Sequence, residues 1–275
     1  MYEDEYLKEN HFSFGRNWQN FLNSVNPDRI NEAKRSLLEF LGGEKAIKGK
    51  TFLDIGCGSG LFSLAAYLLG AKKVMSVDVD KYSVGCARLL AAKNGKPDNW
   101  KVVQGSVLDL KFLSTLGKYD VVYSWGVLHH TGKMYQALDN VFSLANKAGV
   151  LYIAIYNRYS SFLYINSSEF WWKVKRIYNK SGFWAKKIIE TLYIAYHVIG
   201  LIIFRVNPVK YIRDYKKSRG MSWKNDVIDW LGGYPYEFAT PDEIVNYCGK
   251  NGYLCKKMVF RNGTGCNEYL LVREQ

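Results

Sequence analysis

The stretch Leu53-Asp54-Ile55-Gly56-Cys57-Gly58-Ser59-Gly60-Leu61 decides the fold of this chain, because it places an acid two residues before three closely spaced glycines. The apolar residues 51–53 are typical of a buried strand, and residues 61–66 resume the apolar spacing of a helix. Glycines in such a strand-to-helix turn let the backbone approach a ligand at the helix N-terminus. The turn is not a dinucleotide fingerprint, because that motif needs its third glycine where this chain has Leu61.

Further strands are predicted at the intervals that a parallel sheet requires. Residues 73–78 form a strand that ends in Asp78, and Asp80 is placed to cap the following helix. Strands that alternate with helices predict an α/β, doubly wound sheet, with ligands bound at the carboxyl ends of the strands. The other parallel strands are predicted over 100–107, 119–126 and 150–155.

The C-terminal part predicts one more helix and a pair of strands. Thr240 and Pro241 are typical of a helix start, and Glu243 completes a pattern resembling a capping box. The two strands are predicted over 254–260 and 267–272, and two earlier helices over 31–41 and 133–144.

With these elements in place, the sequence resembles the class I S-adenosylmethionine-dependent methyltransferases, nearest the members that act on small molecules such as quinone precursors. The resemblance covers residues 50–156 well and 238–275 more loosely. It implies a Rossmann-like sheet of seven mostly parallel strands, whose last strand is antiparallel, and a helical lid insertion. The expected organisation is an N-terminal helical cap over 1–49, a core formed by 50–156 and 238–275, and a lid over 157–237.

The resemblance implies S-adenosylmethionine as the cofactor. Asp54 would bind its ammonium group, and Asp78 would accept from its ribose hydroxyls. Many family members place an aspartate where Ser106 stands, so here the Ser106 hydroxyl and the backbone of Val107 would meet the adenine amino group. The predicted cofactor-binding residues are Asp54, Gly56, Gly58, Gly60, Asp78, Ser106, Val107 and Ser124.

Two histidines are the candidate catalytic residues, because methyl transfer needs an aligned nucleophile and, for some acceptors, removal of a proton. His129 and His130 follow the fourth predicted strand, and His130 is the favoured base. Related methyltransferases also use paired histidines in structural or cofactor-side roles. The Asn-Pro-Pro-Tyr type sequence of enzymes that methylate amino groups of nucleic acid bases is replaced by Ser124-Trp125-Gly126, which argues against adenine N6 chemistry.

Residues at strand ends and at the borders of the insertion are predicted to line an acceptor pocket. Arg158 would bind a carboxylate or phosphate of the substrate, unless it pairs with Glu237 or another acid. The aromatic segment 12–18 is expected to fold over the cofactor, or to pack on the helices of the sheet. Cys266, Asn267 and Glu268 begin the last predicted strand and are candidate pocket residues, with a plain hairpin turn as the alternative. The predicted substrate-binding residues are Trp18, Tyr156, Asn157, Arg158, Tyr234, Asn267 and Glu268.

Positive charge is concentrated in the insertion. The chain has a formal net charge of +13, and residues 171–225 hold thirteen Lys or Arg against the two acids Glu190 and Asp214, a net charge of +11. Residues 191–204 carry no formal charge, but a helix of that length, at about 1.5 Å per residue, cannot cross a hydrocarbon core of about 30 Å. The aromatic-rich segment predicts a helical lid. Its cations would form a solvated face, contact an anionic membrane or lipid-like acceptor, or bind RNA, in that order.

Composition predicts an enzyme of the reducing cytoplasm. With 48% hydrophobic and 23% charged residues, the chain can bury one sizeable core. Five scattered cysteines without a C-x-x-C pair predict neither a disulfide framework nor a metal site, and the acidic residues 1–5 do not resemble a secretory or transit peptide.

The expected function is methylation of a small-molecule or lipid-like acceptor, at oxygen, in the cytoplasm or peripherally at a membrane. Two alternatives stay open: an RNA (tRNA) methyltransferase, and a cofactor-binding adaptor without catalysis that acts on a membrane or partner. Intact Asp54 and Asp78 speak for cofactor binding, not for turnover.

Overall fold

The computed structural model describes residues 25–162, 164–219 and 223–274. Its strands are β1 (Thr51–Ile55), β2 (Lys73–Asp78), β3 (Trp100–Gln104), β4 (Tyr119–Trp125), β5 (Ala145–Tyr156), β6 (Tyr253–Val259) and β7 (Cys266–Arg273). They form one sheet in the order β3-β2-β1-β4-β5-β7-β6. The pairs of β7 with β5 and β6 are antiparallel, and the other four pairs are parallel. The predicted seven-stranded, mostly parallel sheet is therefore confirmed.

Helices connect the strands and cover both faces of the sheet. They are α1 (Pro27–Leu41), α2 (Leu61–Leu68), α3 (Lys81–Lys93), α4 (Leu110–Ser114), α5 (Met134–Ser143), α6 (Ser168–Lys180), α7 (Phe183–Ile203), α8 (Pro208–Arg219), α9 (Trp223–Gly232) and α10 (Pro241–Lys250). Short 3-10 turns occupy Glu44–Ala46, Leu128–His130 and Tyr164–Asn166.

Two buried cores lie on the two faces of the sheet, because successive strand residues point to opposite sides. On β1, Leu53 and Ile55 belong to the core shared with α5 and α10, whereas Phe52 belongs to the core shared with α1 and α2. A strand that is covered on both faces needs apolar residues at every position. This explains the unbroken apolar lead-in to the glycine turn.

Helix starts follow the local chemistry of the sequence. Asn26 caps α1 by accepting from the Arg29 amide at 3.0 Å, and Pro27 occupies the first turn, so this helix begins four residues before its predicted start. At α10, Thr240 and Glu243 form the predicted capping box.

Two strand boundaries differ from prediction. β3 ends at Gln104, because residues 106–109 turn back toward α4 instead of extending the strand. β5 begins at Ala145, five residues early, since Tyr119 pairs with Ala145 across an irregularity in β4. Its first residues include the polar Asn146 and Lys147, so the apolar pattern used to predict the strand begins only at residue 150.

The helices α6 to α9 fill the interval between β5 and α10 and have a core of their own. Trp171, Tyr178, Trp223 and Tyr236 are buried in it. Lys175 is also fully buried there: its Nζ donates to the Trp230 backbone oxygen and lies 3.7 Å from the centre of the Trp230 ring, and burial lowers its pKa well below the usual value. Helices α6 to α9 therefore form a packed unit at the place of the predicted lid, and we refer to them below as the lid.

Among the described residues, no single helix is long and apolar enough to cross a membrane. One bent pair meets the criteria of length and composition together, namely α7 with residues Pro208–Tyr215, which meet at 117°.

Candidate functional site

The loop between β1 and α2 is shaped by glycines. Gly56 and Gly60 have φ angles of 74° and 81°, in the left-handed region that side chains rarely adopt. A Cβ atom on Gly56 would lie 2.3 Å from the Val127 side chain, and one on Gly60 would lie 2.8 Å from Ala87. The loop is therefore packed closely between α3 and the loop that follows β4, and its residues 56–59 line the cavity described below.

Asp54 is held in place by a chain of buried hydrogen bonds. Its carboxylate accepts from the Ser63 hydroxyl at 2.5 Å, Ser63 accepts from Ser76 at 2.6 Å, and Ser76 accepts from the Trp100 indole at 2.8 Å. These residues come from β1, α2, β2 and β3, so the carboxylate is fixed by the sheet itself. This arrangement preorganises Asp54 for a ligand at the end of β1.

Burial raises the pKa of Asp54 to about 7, while the hydrogen bond from Ser63 opposes the rise. None of the ion pairs among the described residues involves Asp54. A buried carboxylate is costly unless it is paired, and a ligand ammonium group would supply the pairing. The site therefore fits the methionine end of S-adenosylmethionine.

Asp78 lies at the end of β2, facing the glycine loop. It accepts from the Gly58 amide at 2.9 Å and from the Asp80 amide at 2.9 Å, and burial raises its pKa to about 6. Asp80 caps α3 by accepting from the Tyr82 amide at 2.7 Å, as predicted. Asp78 therefore presents a carboxylate at the edge where ribose hydroxyls would bind.

The loop after β3 forms another wall of the same site. The Ser106 hydroxyl accepts from the Leu108 amide at 3.1 Å, and the Val107 carbonyl accepts from Asn140 at 2.8 Å. Both residues line the cavity, but the carbonyl of Val107 is already engaged. The Ser106 hydroxyl keeps its own proton and a second lone pair, so it can donate to an adenine ring nitrogen or accept from the adenine amino group.

These loops and the lid enclose a cavity of about 1220 Å³. This volume exceeds the range of about 300–1,000 Å³ that is typical of a site for one small ligand, so a second ligand can lie beside the first. The lid contributes mainly aromatic side chains and two acids. Its lining residues are Tyr193, His197, Tyr211, Tyr215, Trp223, Asp226, Val227, Asp229 and Trp230.

The lid cations are not on this wall. Among the side chains that the structure describes within 171–225, no Lys or Arg lines the cavity. The basic lining residues are Lys133 and Arg261, which belong to the core, and Arg261 also lies 3.5 Å from Glu268. The lid cations that the structure describes therefore do not face an acceptor inside the cavity, and a solvated face or an anionic surface remains as their expected environment.

His130 lines the cavity beyond the end of β4. Its Nδ1 lies 2.6 Å from the Pro235 carbonyl oxygen. Because a carbonyl only accepts, Nδ1 carries the proton, and in the neutral ring Nε2 is left as the basic nitrogen. The Tyr156 ring stands edge-on to the imidazole, with the ring centres 5.4 Å apart.

His129 is fully buried and does not line the cavity. Its Nδ1 accepts from the Tyr156 amide at 3.3 Å, so Nε2 carries the proton, and Nε2 has no partner among the described atoms. Burial lowers the pKa of His129 well below the usual value, and the nearby His130 acts in the same direction. The ring therefore stays neutral and braces Tyr156 and His130 by packing.

Two predicted substrate residues bind the loop between β6 and β7 instead. The Asn157 side chain donates to the carbonyls of Arg261 and Gly263 at 3.3 and 3.0 Å and accepts from Asn267 at 3.1 Å. The Asn267 side chain accepts from the Arg261 amide at 2.8 Å. Both asparagines are buried and do not line the cavity, but they fix a loop of which Arg261, Asn262, Thr264 and Gly265 do line it.

The remaining predicted residues divide between the cavity and the surrounding structure. Tyr156 lines the cavity, whereas Tyr234 does not. Arg158 forms an ion pair with Glu243 at 2.6 Å. The predicted alternative, a salt bridge in place of a substrate contact, is therefore observed with an acid other than Glu237. Glu268 accepts from the Tyr152 hydroxyl at 2.5 Å on the other face of the sheet.

Two of the predicted cofactor residues also lie off the cavity wall. The Ser124 hydroxyl donates to the Ile55 carbonyl at 3.1 Å, joining β4 to β1, and Gly60 supports the loop without lining the cavity. Trp18 and the rest of 12–18 lie outside the described residues.

The lid wall of the cavity contains residues that the sequence analysis did not single out as site residues. His197 lies four residues after Tyr193 on α7, and its buried Nδ1 has no partner among the described atoms. Asp226 accepts from the Tyr215 hydroxyl. The helical spacing of Trp223, Asp226 and Trp230 marks one face of α9 and could have revealed these residues.

No group of three or more potential metal ligands occurs in the part of the chain that the structure describes. All five cysteines are free. Cys57 and Cys266 line the cavity, and burial raises the pKa of Cys266 to about 12, so its thiol is neutral.

Comparisons with known proteins place these features in a family. A family model described as a methyltransferase domain matches residues 47–220, which is more than half of the chain. The chain is 29% identical to the ubiquinone biosynthesis O-methyltransferase of Pelagibacter ubique over 140 residues, which cover 50% of this chain and 56% of that protein. It is 44% identical to the ribosomal protein L11 methyltransferase of Photobacterium profundum over 61 residues, 22% of this chain and 20% of that protein.

The chain thus spans little more than half the length of the first relative and a fifth of the second. Among solved structures, the magnesium protoporphyrin IX methyltransferase of Synechocystis PCC 6803 with bound SAH superposes with a TM-score of 0.53 at 18% identity, over 91% of this chain and 89% of that chain. At this level of identity, the likeness shows a shared fold.

Proposed function

Because the chain belongs to the methyltransferase domain family, we propose that it transfers a methyl group from S-adenosylmethionine to the oxygen of a small or lipid-like acceptor that carries a hydroxyl group. The resemblance to class I S-adenosylmethionine-dependent methyltransferases is confirmed by this membership. The observation that carries the finer proposal is the cavity itself, which has His130 on one wall and aromatic lid residues on another.

The cofactor half of the cavity would use the carboxylates at the ends of β1 and β2. Asp54 would pair with the ammonium group, and Asp78 would accept from the ribose hydroxyls. Gly56 and Gly58 would allow close approach of the backbone, and Ser106 would meet the adenine ring. Ser124 would contribute only indirectly, by fixing β4 against β1.

His130 would act as the base of the transfer. When bound, S-adenosylmethionine supplies an electrophilic methyl group on a positively charged sulfur. His130 Nε2 would take the proton of the acceptor hydroxyl, and the acceptor oxygen would then be able to accept the methyl group. The Pro235 carbonyl stabilises the imidazolium that forms, because it accepts from Nδ1. His129 would be a positioning residue.

The acceptor would be recognised by ring contacts more than by charge. Tyr156, Tyr193, Trp223 and Trp230 offer flat apolar surfaces, and stacked or edge-on ring pairs favour an aromatic ligand. His197 and Asp226 supply the polar contacts of this wall. An O-methyltransferase of ubiquinone biosynthesis is among the relatives, and a quinone precursor of that chemical class would suit such a wall.

Substitution of His130 tests the proposal. His130→Asn keeps an amide nitrogen near the position of Nδ1, able to donate to Pro235, but lacks the basic nitrogen. Turnover of a phenolic acceptor should fall about 100-fold or more, while cofactor affinity changes less than about twofold. The acceptor is first found by screening phenols, quinols, transfer RNA and ribosomal protein with radiolabelled cofactor. A loss below about tenfold would assign His130 to packing, and labelling of transfer RNA alone would favour the RNA alternative.

Cofactor binding without transfer to any compound would favour the adaptor alternative. The parent chain and Asp54→Asn are compared by calorimetric titration, so that binding and turnover are judged separately.

A further inference from the structure

The solvent side of α7 is apolar along its whole length. Trp184, Ile188 and Leu192 are 79%, 61% and 65% exposed, and Ile199 and Ile203 are 56% and 70% exposed. Steps of four, four, seven and four residues place these five side chains on one side of the helix, which we call the apolar ridge. A surface helix normally turns charged or polar residues to solvent, so an exposed apolar stripe marks an interaction surface.

The charges of α7 lie elsewhere on the helix. Glu190 is buried, pairs with Lys187 at 2.6 Å and accepts from the Tyr178 hydroxyl, so this pair belongs to the lid. From Thr191 to Phe204 there is no formal charge. Beyond the end of α7, Phe204 and Val209 are also apolar and are 80% and 75% exposed.

Exposed cations surround the ridge in sequence and lie outside the cavity. Among the side chains described within 171–225, the exposed cations are Lys173, Arg176, Lys180, Arg205, Lys210, Arg213 and Lys224. An apolar stripe accompanied by Lys and Arg is the pattern of a helix that lies in the interface of an anionic bilayer. A second copy of this chain is a poorer occupant, because the lids, each with a net charge of +11 over 171–225, would repel each other.

We propose that the apolar ridge docks on the surface of an anionic lipid bilayer, with its side chains at the headgroup boundary and the lid cations on lipid phosphates. α7 would lie in the plane of the surface and would not cross it. The opposite side of the same helix carries Tyr193 and His197 on the cavity wall. Docking therefore sets the acceptor side of the cavity one helix diameter from the lipid, about 10 Å.

Vesicle flotation tests the docking without any acceptor. The purified chain is mixed with phosphatidylcholine vesicles that contain or lack phosphatidylglycerol. Binding should need the anionic lipid and should fall when salt rises from about 0.1 M to about 1 M, since the Debye length shrinks from about 10 Å to about 3 Å. Equal binding to both kinds of vesicle would overturn the electrostatic part, and failure to float would overturn the whole proposal.

A matched pair of leucines separates the ridge from general surface effects. Leu192→Asp should lower the vesicle partition coefficient at least about tenfold, because an apolar contact is replaced by a charge that the lipid repels. Leu89→Asp is the control: Leu89 is 49% exposed in the interior of α3, far along the chain from the lid. Equal loss in both variants, or no loss in Leu192→Asp, contradicts a specific ridge.

Two further measurements keep the outcomes distinct. Lipids with brominated acyl chains should quench Trp184, and the quenching should disappear in Trp184→Phe. Cofactor titration of Leu192→Asp should match the parent, so failure of docking and failure of the proposed methyl transfer are told apart. If light scattering shows a dimer that Leu192→Asp dissociates, or if only transfer RNA is bound, the ridge or the cations serve another partner and the proposal is wrong.

Discussion

Lowering the pH should release S-adenosylmethionine through Asp54. The carboxylate binds an ammonium group only when it is ionised, and burial raises its pKa to about 7 in the ligand-free protein. Binding must therefore expel a proton below that pH. An ordinary exposed aspartate, with a pKa near 4, would be ionised throughout the same range.

The size of the effect follows from the ionised fraction. With a pKa of about 7, about half of Asp54 is ionised at pH 7 and about 1% at pH 5, so affinity should fall about 50-fold. Asp78, with a pKa of about 6, adds a further loss at the acidic end. An aspartate with its usual pKa would give a change below about twofold.

Calorimetric titration in two buffers with different ionisation enthalpies measures both the affinity and the proton released. Asp54→Asn should bind weakly and lose most of the pH dependence, whereas Asp78→Asn should keep the part that belongs to Asp54. An affinity that stays flat between about pH 5 and pH 7 in the parent chain would refute the reasoning.

Stability gives an independent readout of the same carboxylate. Because the pKa of Asp54 in the folded state lies above the usual value, protonation of Asp54 stabilises the folded, ligand-free protein relative to the unfolded chain. This contribution to the free energy of unfolding is lost as the pH rises through about 7. The cofactor should therefore raise the melting temperature more at pH 7 than at pH 5, and in Asp54→Asn this difference should shrink to the part that Asp78 contributes.

Two further substitutions test the architecture by chemical unfolding in urea. Gly56→Ala should cost about 3 kcal/mol and abolish cofactor binding, because the new methyl group would overlap Val127, whereas Gly49→Ala, at the same φ of 74° but with nothing within 4 Å, should cost only about 1 kcal/mol. Equal costs would show that backbone strain alone is at work. Asn157→Ala should cost about 3 kcal/mol through its lost buried hydrogen bonds, and the exposed Asn251→Ala about 0.5 kcal/mol. A small loss at Asn157 would mean that the loop after β6 is held by other contacts.

Features that depend on neighbours in the chain could be predicted from the sequence. The apolar run before Asp54, the glycine turn and the capping residues Asp80 and Thr240 each act through contacts a few residues away. Their physical chemistry is local, so the alternation of strands and helices and the place of Asp54 and Asp78 at the ends of two strands followed from it.

The acceptor side could not be predicted in the same way, because its contacts join distant parts of the chain. Asn157 meets Asn267 from 110 positions away, which turns two strand-end polar residues into a structural clasp. Ser124 and Trp125 differ by one position on β4, and that single step decides that Ser124 bonds to Ile55 while Trp125 lines the cavity.

Charge counting also misled at the lid. The count over 171–225 stops just before Asp226 and Asp229, the two acids that the lid turns inward. Burying an unpaired charge beside aromatic rings is costly, so the cations that the structure describes in the lid do not line the cavity. Lys175, the single buried lysine among the described residues, meets a carbonyl and two rings instead of an acid.

The separate core of the lid makes the protein modular. The carboxylates proposed to bind the cofactor lie on β1 and β2, whereas most of the proposed acceptor wall lies on α7 to α9, which pack on one another through their own buried aromatic cluster. A chimaera that exchanges the proposed lid, 157–237, should transfer its acceptor preference to the recipient protein. Related proteins could therefore change their acceptor by replacing this one segment, while the strands that carry the proposed cofactor-binding residues stay the same.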